Sequence, residues 1–285
     1  MNKLLYPFIV LTTLLSVAGC KDEQAVIPAI DVIYELEVSG NEVKFMNKTT
    51  GAQSFRWDFG DGEESTEESP THHYPGKGKY VPTLYATVDG STYEGSTVIM
   101  IAKSSPVRID DGSLADWENV TEHVLNPGPN GGIAQTLKLD YDGNYIYLYM
   151  ELNTSPANGD IFDFYIDSDN SAASGLLTGT FTEGAYDILL EGPLLDGALD
   201  VFYHNGAQVD FSFVQQSISD YYSLGTVESS GNQTRFEMRI DRSKLKGLTG
   251  TALRLGITLT KNDWSAQLGS VPLNGQPAYL LGMDD

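Results

Sequence analysis

The chain has 285 residues, 39 acidic against 17 basic, for a formal net charge of −22, and a single cysteine. A surface of that sign repels phosphate backbones and excludes nucleic acid as a partner, while one cysteine builds no disulfide framework, so stability has to come from packed cores. Calcium and neutral sugars remain compatible with the charge.

The first element is MNKLLYPFIVLTTLLSVAGC: one lysine, an apolar run from Leu4 to Leu15, and small residues before Cys20. This is a secretory signal, residues 1–19, too short and wrongly flanked for a membrane span. Val17-Ala18-Gly19-Cys20 resembles the lipobox of bacterial lipoproteins, which implies cleavage before Cys20 and acylation of that residue; the alternative is an ordinary secretory signal that contains a cysteine. Residues 20–27 form an acidic tether, and its KDEQ resembles the signal that sends lipoproteins to the outer face of the outer membrane in Bacteroidota-type cells. The expected location is the outer membrane, lipid-anchored and facing outward.

The remainder is long enough for two domains. It is rich in Gly, Thr, Tyr and alternating apolar residues, turns often at Asn-Gly or Asp-Gly, and has no sustained helical period, which predicts an all-β chain of short antiparallel strands. In residues 28–103, Phe55, Trp57 and Phe59 alternate to one face before Gly60-Asp61-Gly62 turns the chain. WDFGDG at Trp57–Gly62, then His72–Tyr74, Pro75-Gly76 and Tyr80–Leu84, resemble the polycystic kidney disease (PKD) type of immunoglobulin-like domain. Pro82 departs from that pattern, and its missing N–H points to an edge strand or a bulge. Asp58, Asp61, His72 and His73 are metal-ligand types, but aspartates beside glycines cap tight turns through nearby backbone N–H groups, and the resemblance implies that role. The module reads as a spacer.

Residues 104–107 are a short linker stiffened by Pro106. In residues 108–285, TLKLDYDGNYIYLYMELN is a hairpin turning at Asp142-Gly143-Asn144, with Ile146, Leu148, Met150 and Leu152 as its core face. Further strands are expected at Ile161–Ile166, Tyr186–Leu190, Leu199–Tyr203, Val209–Val214, Arg235–Ile240 and Leu253–Thr260, about eight in all, enough for a jelly-roll-like sandwich. Asp241–Leu248 reads as a short helical turn capped by Asp241 or Ser243.

FDFYIDSDNSAASG places Asp163, Asp167 and Asp169 within seven positions. The calcium-binding helix-loop-helix template fails here, because from Asp167 its glycine position holds Ala172 and its glutamate position holds Thr178. IDDGSLADWENV, FDFYIDSDNSAASG with GAYDILLEG, and TKNDWSAQLGSVP occur in an order that resembles the β-sandwich superfamily containing family 9 carbohydrate-binding modules. The resemblance implies a structural calcium held by Asp167, Asp169 and Asp187, with Glu183 as a further ligand, and aromatic sugar platforms in loops. A merely polar turn is the alternative; a catalytic carboxylate pair fits poorly, since glycoside hydrolysis needs carboxyls roughly 5 to 9.5 Å apart across a cleft.

Of three tryptophans, Trp57 belongs to the PKD core and Trp117 plugs the sandwich. Trp264 stands in a loop of polar and turn residues, where a large ring needs something to pack on it; it is either a sugar platform or folded back over a sheet edge. Tyr203, His204, Tyr221 and Tyr222 offer a second wall or serve the fold. No Ser/His/Asp order, metal-histidine cluster or separated acid pair is present, so the chain is not read as an enzyme. The expectation is a surface glycan-binding lipoprotein that captures polysaccharide or oligosaccharide for an outer-membrane importer. Its alternatives are an adhesion or scaffold protein and a hydrolase or lyase.

Overall fold

The computed structural model describes residues 30–177, 179–248 and 252–283. The signal segment, Cys20 and the acidic tether lie outside them. Among the described residues no helix is long and apolar enough to cross a membrane.

The N-terminal part, all β, has nine strands among the described residues. β1 (Tyr34–Ser39), β2 (Glu42–Asn47) and β5 (Thr71–His73) form one sheet. β4 (Glu64–Ser65), β3 (Ser54–Asp58), β7 (Thr83–Val88) and β8 (Ser91–Ser96) form a second, and β6 (Gly78–Tyr80) pairs with β9 (Ile99–Ile101). The alternation of Phe55, Trp57 and Phe59 delivers Trp57, fully buried, onto Phe45 and Tyr34 in the sandwich interior. Pro82 is neither an edge residue nor a bulge. It separates β6 from β7, where the chain crosses between sheets, and its carbonyl accepts from Tyr34 Oη at 3.1 Å and Thr97 N at 3.2 Å. A residue without an N–H suits a crossing that has no ladder to join.

The C-terminal part is a two-sheet sandwich. Its smaller sheet runs β10 (Val124–Leu125), β11 (Ala134–Tyr141), β12 (Tyr145–Leu152), β18 (Gln233–Asp241), β17 (Tyr222–Ser230). The larger runs β16 (Phe213–Gln216), β15 (Asp200–His204), β14 (Ile188–Gly192), β13 (Ile161–Asp167), β19 (Ala252–Thr260), β20 (Gln267–Val271), with β21 (Tyr279–Gly282) beside the first half of β19. Ile146, Leu148, Met150 and Leu152 face Phe162, Phe164, Ile257 and Leu259 in the central core. The hairpin turn is held by Asp142, whose Oδ1 accepts from the N–H of Asn144 and of Tyr145, each at 2.8 Å. The short helical turn is a 3-10 helix at Arg242–Lys244, capped by Asp241 through Ser243 N at 2.9 Å.

Trp117 departs from its expected place. It packs outside the smaller sheet, under the opening loop, with Val107, Ile109, Leu114, Val120, Tyr147 and Tyr149. Its indole N–H donates to the buried carboxylate of Glu237 at 2.8 Å. The tyrosine face of β12 is thereby covered, which alternation alone leaves open to solvent. A second outer layer, Phe181, Tyr186 and Ala278 with Tyr165, covers part of the larger sheet.

One expected strand is cut short and three strands outside the expected set form, for local reasons. Val209–Val214 forms strand only from Phe213, because Asp210 N bonds Ala207 O at 2.8 Å and closes a turn instead. β17 escapes the pattern because its register slips between Leu224 and Val227, around Gly225. β20 and β21 are short strands at the β19 margin, and their residues read as loop.

Residues 102–107 are tied down rather than free. The Lys103 ammonium pairs with Asp140 and donates to Tyr141 O at 3.2 Å, and Ser105 Oγ donates to the other Asp140 oxygen at 2.6 Å.

Candidate functional site

Strand register divides the larger sheet into two ends. Ile166 pairs with Ile188 and Ile188 with Tyr203, whereas Ile161 pairs with Thr260 and Phe162 with Gly192. Six strand steps from Ile161 to Asp167 put the ends roughly 20 Å apart.

At the first end β13 delivers Asp167, the turn after it Asp169, and the residue before β14 Asp187. One carboxylate oxygen of each lies within 4.8 Å of the others. Backbone and hydroxyl donors orient them: Ala185 N to Asp167 Oδ2 at 3.2 Å, Ser171 N to Asp169 Oδ1 at 3.0 Å, Ser174 Oγ to Asp169 Oδ2 at 3.0 Å, and Ser168 N to Asp187 Oδ2 at 3.2 Å. Burial, then the charges of Asp187 and Asp169, push Asp167 up to about 6 despite its backbone donors. Asp187 is raised by burial and by Asp169. Converging hard oxygens that repel one another are the donor set a divalent hard cation relieves. Glu183 does not join them. Its carboxylate is 62 % exposed and turns to Arg254 at 3.4 Å.

At the other end the β19–β20 hairpin carries Trp264. Lys261 O accepts from Trp264 N at 2.8 Å, Asp263 Oδ1 accepts from Ser265 N at 3.0 Å, and Asn262 reaches across to Asn158 O at 2.8 Å. Trp264 has φ +61 and its side chain is 55 % exposed, so it is not folded onto the sheet. Further along the same hairpin, β20 and the following loop open a recess of about 500 Å³ that begins at Gln267.

The other proposed aromatics do not assemble around Trp264. Tyr203 and His204 lie at the acidic end: Tyr203 Oη donates to Lys244 O at 3.3 Å, and His204 Nε2 sits 3.0 Å from Asp210 O. Tyr221 is buried. Tyr222 reaches the Trp264 end, but its hydroxyl donates to Gly197 O at 3.1 Å. These positions follow from register, which a linear sequence does not display.

Asp163, quoted with the acidic loop, plays a different part. It faces outward from mid-strand, 4 % exposed, opposite Thr258 on one side and Glu191 on the other. Thr258 Oγ1 donates to its Oδ2 at 2.8 Å, and its Oδ1 meets no donor unless Glu191 is protonated. Burial lifts both carboxyls, and their interaction lowers Asp163 while raising Glu191. They stand side by side on neighbouring strands, not across a cleft.

In the N-terminal part Asp58 Oδ1 accepts from Gly60 N at 2.9 Å and Asp61 Oδ1 from Glu63 N at 3.1 Å, as turn caps. His72 pairs with Asp61 at 2.7 Å and stacks on Phe59, while His73 turns to Glu42.

Residues 26–101 match the PKD domain family. Collagenase ColA of Clostridium perfringens (strain 13 / Type A) is 32 % identical over 91 residues, 31 % of this chain and 8 % of that protein; the chain thus spans less than a tenth of that relative. The PKD1 domain of the Vibrio cholerae metalloprotease PrtV is 35 % identical over 26 % of this chain and 96 % of its own, with a TM-score of 0.25. A structure described as "Structural basis for the promiscuous specificity of the carbohydrate- binding modules from the beta-sandwich super family" covers 75 % of this chain and 91 % of its own, at 13 % identity and a TM-score of 0.28. A score at that level carries no functional argument.

Proposed function

We propose that the protein is a non-catalytic glycan-binding lipoprotein of the cell surface, which captures polysaccharide or oligosaccharide for an outer-membrane uptake system. The observation that carries this reading is Trp264. A bulky residue at positive φ is held at a cost of about 1 to 3 kcal/mol, and this one is more than half exposed. A tryptophan kept where glycine or asparagine fits better, with its apolar face in water, has its use outside the fold. A pyranose supplies the complement, a face of C–H groups that stacks on indole. Cys20 and its lipobox supply the anchor, and the PKD domain the spacer. Asp167, Asp169 and Asp187 would hold calcium as a structural ion.

Retardation in gels containing soluble polysaccharides, run with a reducing-sugar assay on the same panel, tests the reading. Retardation without sugar release supports it; release of sugar ends replaces it with a hydrolase, and no retardation on any polymer defeats it. Cys20→Ser should move the protein from the membrane to the soluble fraction, and protease shaving of intact cells tests outward display. One observation favours the adhesion alternative. Val209, Phe211 and Val214, with Leu177 on the adjoining loop, are exposed together at the margin of the larger sheet. A protein partner bound there, with no glycan retardation, would make that alternative the function.

A further inference from the structure

The recess on the Trp264 hairpin, lined from Gln267 onward, is built from uncharged groups. Its walls hold the carboxamides of Asn130, Gln267, Asn274 and Gln276 and the hydroxyl of Ser270, and no charged side chain lines it. Its floor depends on two glycines on facing segments, Gly132 and Gly269, which pair as an isolated bridge. A Cβ on Gly132 would fall 1.9 Å from Leu268 O, and one on Gly269 would fall 2.4 Å from Gly131 O. Gln267 and Asn274 exchange amide hydrogen bonds, Nε2 to Oδ1 at 3.0 Å and Nδ2 to Oε1 at 3.2 Å, which fixes both planes. Asn130 and Gln276 are exposed and among the described residues make no side-chain hydrogen bond. Gln267 lies three positions beyond Trp264 on the same hairpin.

We infer that this recess is the hydroxyl-reading half of the Trp264 site and that it selects a neutral glycan, one without carboxylate or sulfate. The inference rests on the glycan-binding reading of Trp264 and adds the ligand class. Each carboxamide presents donors and an acceptor in one plane, the match for sugar hydroxyls that both give and take hydrogen bonds. An anionic sugar entering the recess would lose water and gain no counter-charge. The hairpin's own cation, Lys261, is paired with Asp263 at 2.7 Å, and the chain's net charge of −22 opposes an anion's approach. Aromatic face and amide wall thus divide the work: stacking holds the ring, and the amides decide which ring it is.

The experiment titrates the full chain calorimetrically with neutral hexasaccharides of β-1,4-linked glucose, xylose and mannose and with the galacturonate hexamer. Parallel titrations use Trp264→Ala and the double variant Asn130→Ala/Gln276→Ala, whose side chains make no hydrogen bond among the described residues. At least one neutral hexamer is expected to bind tenfold or more tightly than the galacturonate hexamer. The double variant should lose tenfold or more in that affinity while melting with the parent. If the double variant binds unchanged, or galacturonate binds as well as the best neutral hexamer, the recess inference falls while a Trp264→Ala loss keeps the platform reading alive. If no hexamer binds, or Trp264→Ala binds unchanged, the platform reading and the inference fall together.

Discussion

The two ends of the larger sheet are built from the same strands yet hold opposite chemistry. One gathers three carboxylates whose mutual repulsion asks for a cation. The other carries an exposed tryptophan and, from Gln267 onward on the same hairpin, a recess lined by amides without a charged side chain. The acidic end draws its residues inward and spends backbone N–H groups on fixing them; the neutral end pushes its largest side chain out on a left-handed turn. The difference separates an end organised around what the fold needs from one organised around what the fold leaves unused.

The largest effect expected from breaking that contrast compares two tryptophans. Trp117→Ala should cost about 3 to 5 kcal/mol of folding stability, because it empties an apolar layer and strips a buried carboxylate, Glu237, of its indole donor. Trp264→Ala should melt within about 0.5 kcal/mol of the parent, a difference thermal unfolding resolves. A large loss at Trp264 would make it part of the core and erase the contrast.

The acidic end comes next. A cation bound to the native state stabilises by RT ln(1 + [L]/Kd), about 2.7 kcal/mol at a hundredfold excess over Kd. Chelator should therefore lower the melting temperature of calcium-loaded protein, and Asp187→Asn should abolish that sensitivity. A melting curve indifferent to chelator in the parent would leave the three aspartates as turn caps only.

The smallest effect concerns Asp163 and Glu191, midway between the ends. Unfolded, they titrate near about 3.9 and 4.3; folded, both are raised, chiefly by burial. The folded chain therefore holds more protons above about pH 4, and stability falls as pH rises through the interval between unfolded and folded values. Glu191→Gln keeps a donor for Asp163 and cannot ionise. In chelator-treated protein its melting temperature should fall less steeply than the parent's as pH rises above about 4, and equal slopes would refute a raised Glu191.

Strand identity was legible wherever alternation ran unbroken, as in β12, β13, β18 and β19. It was lost where a bulge at Leu224–Val227 or the turn at Ala207–Asp210 interrupted the period. The acidic site was partly legible because two of its members share one loop. Glu183 misled, since closeness in sequence says nothing about Arg254 waiting on β19. Trp264 announced itself by standing among turn residues. The amide wall did not: Asn130 and Gln276 lie far apart in the chain, and ordinary exposed amides carry no signature until a fold brings them together.

The clamp of Asp140 by Lys103 and Ser105 fixes the linker residues to β11. A free peptide of that length would act as a swivel and let the second part sample directions at random. With these residues fastened, their backbone freedom is surrendered during folding. The stretch from Lys103 to Ser105 is therefore the opening strap of the second part, fastened to β11 before the first loop begins.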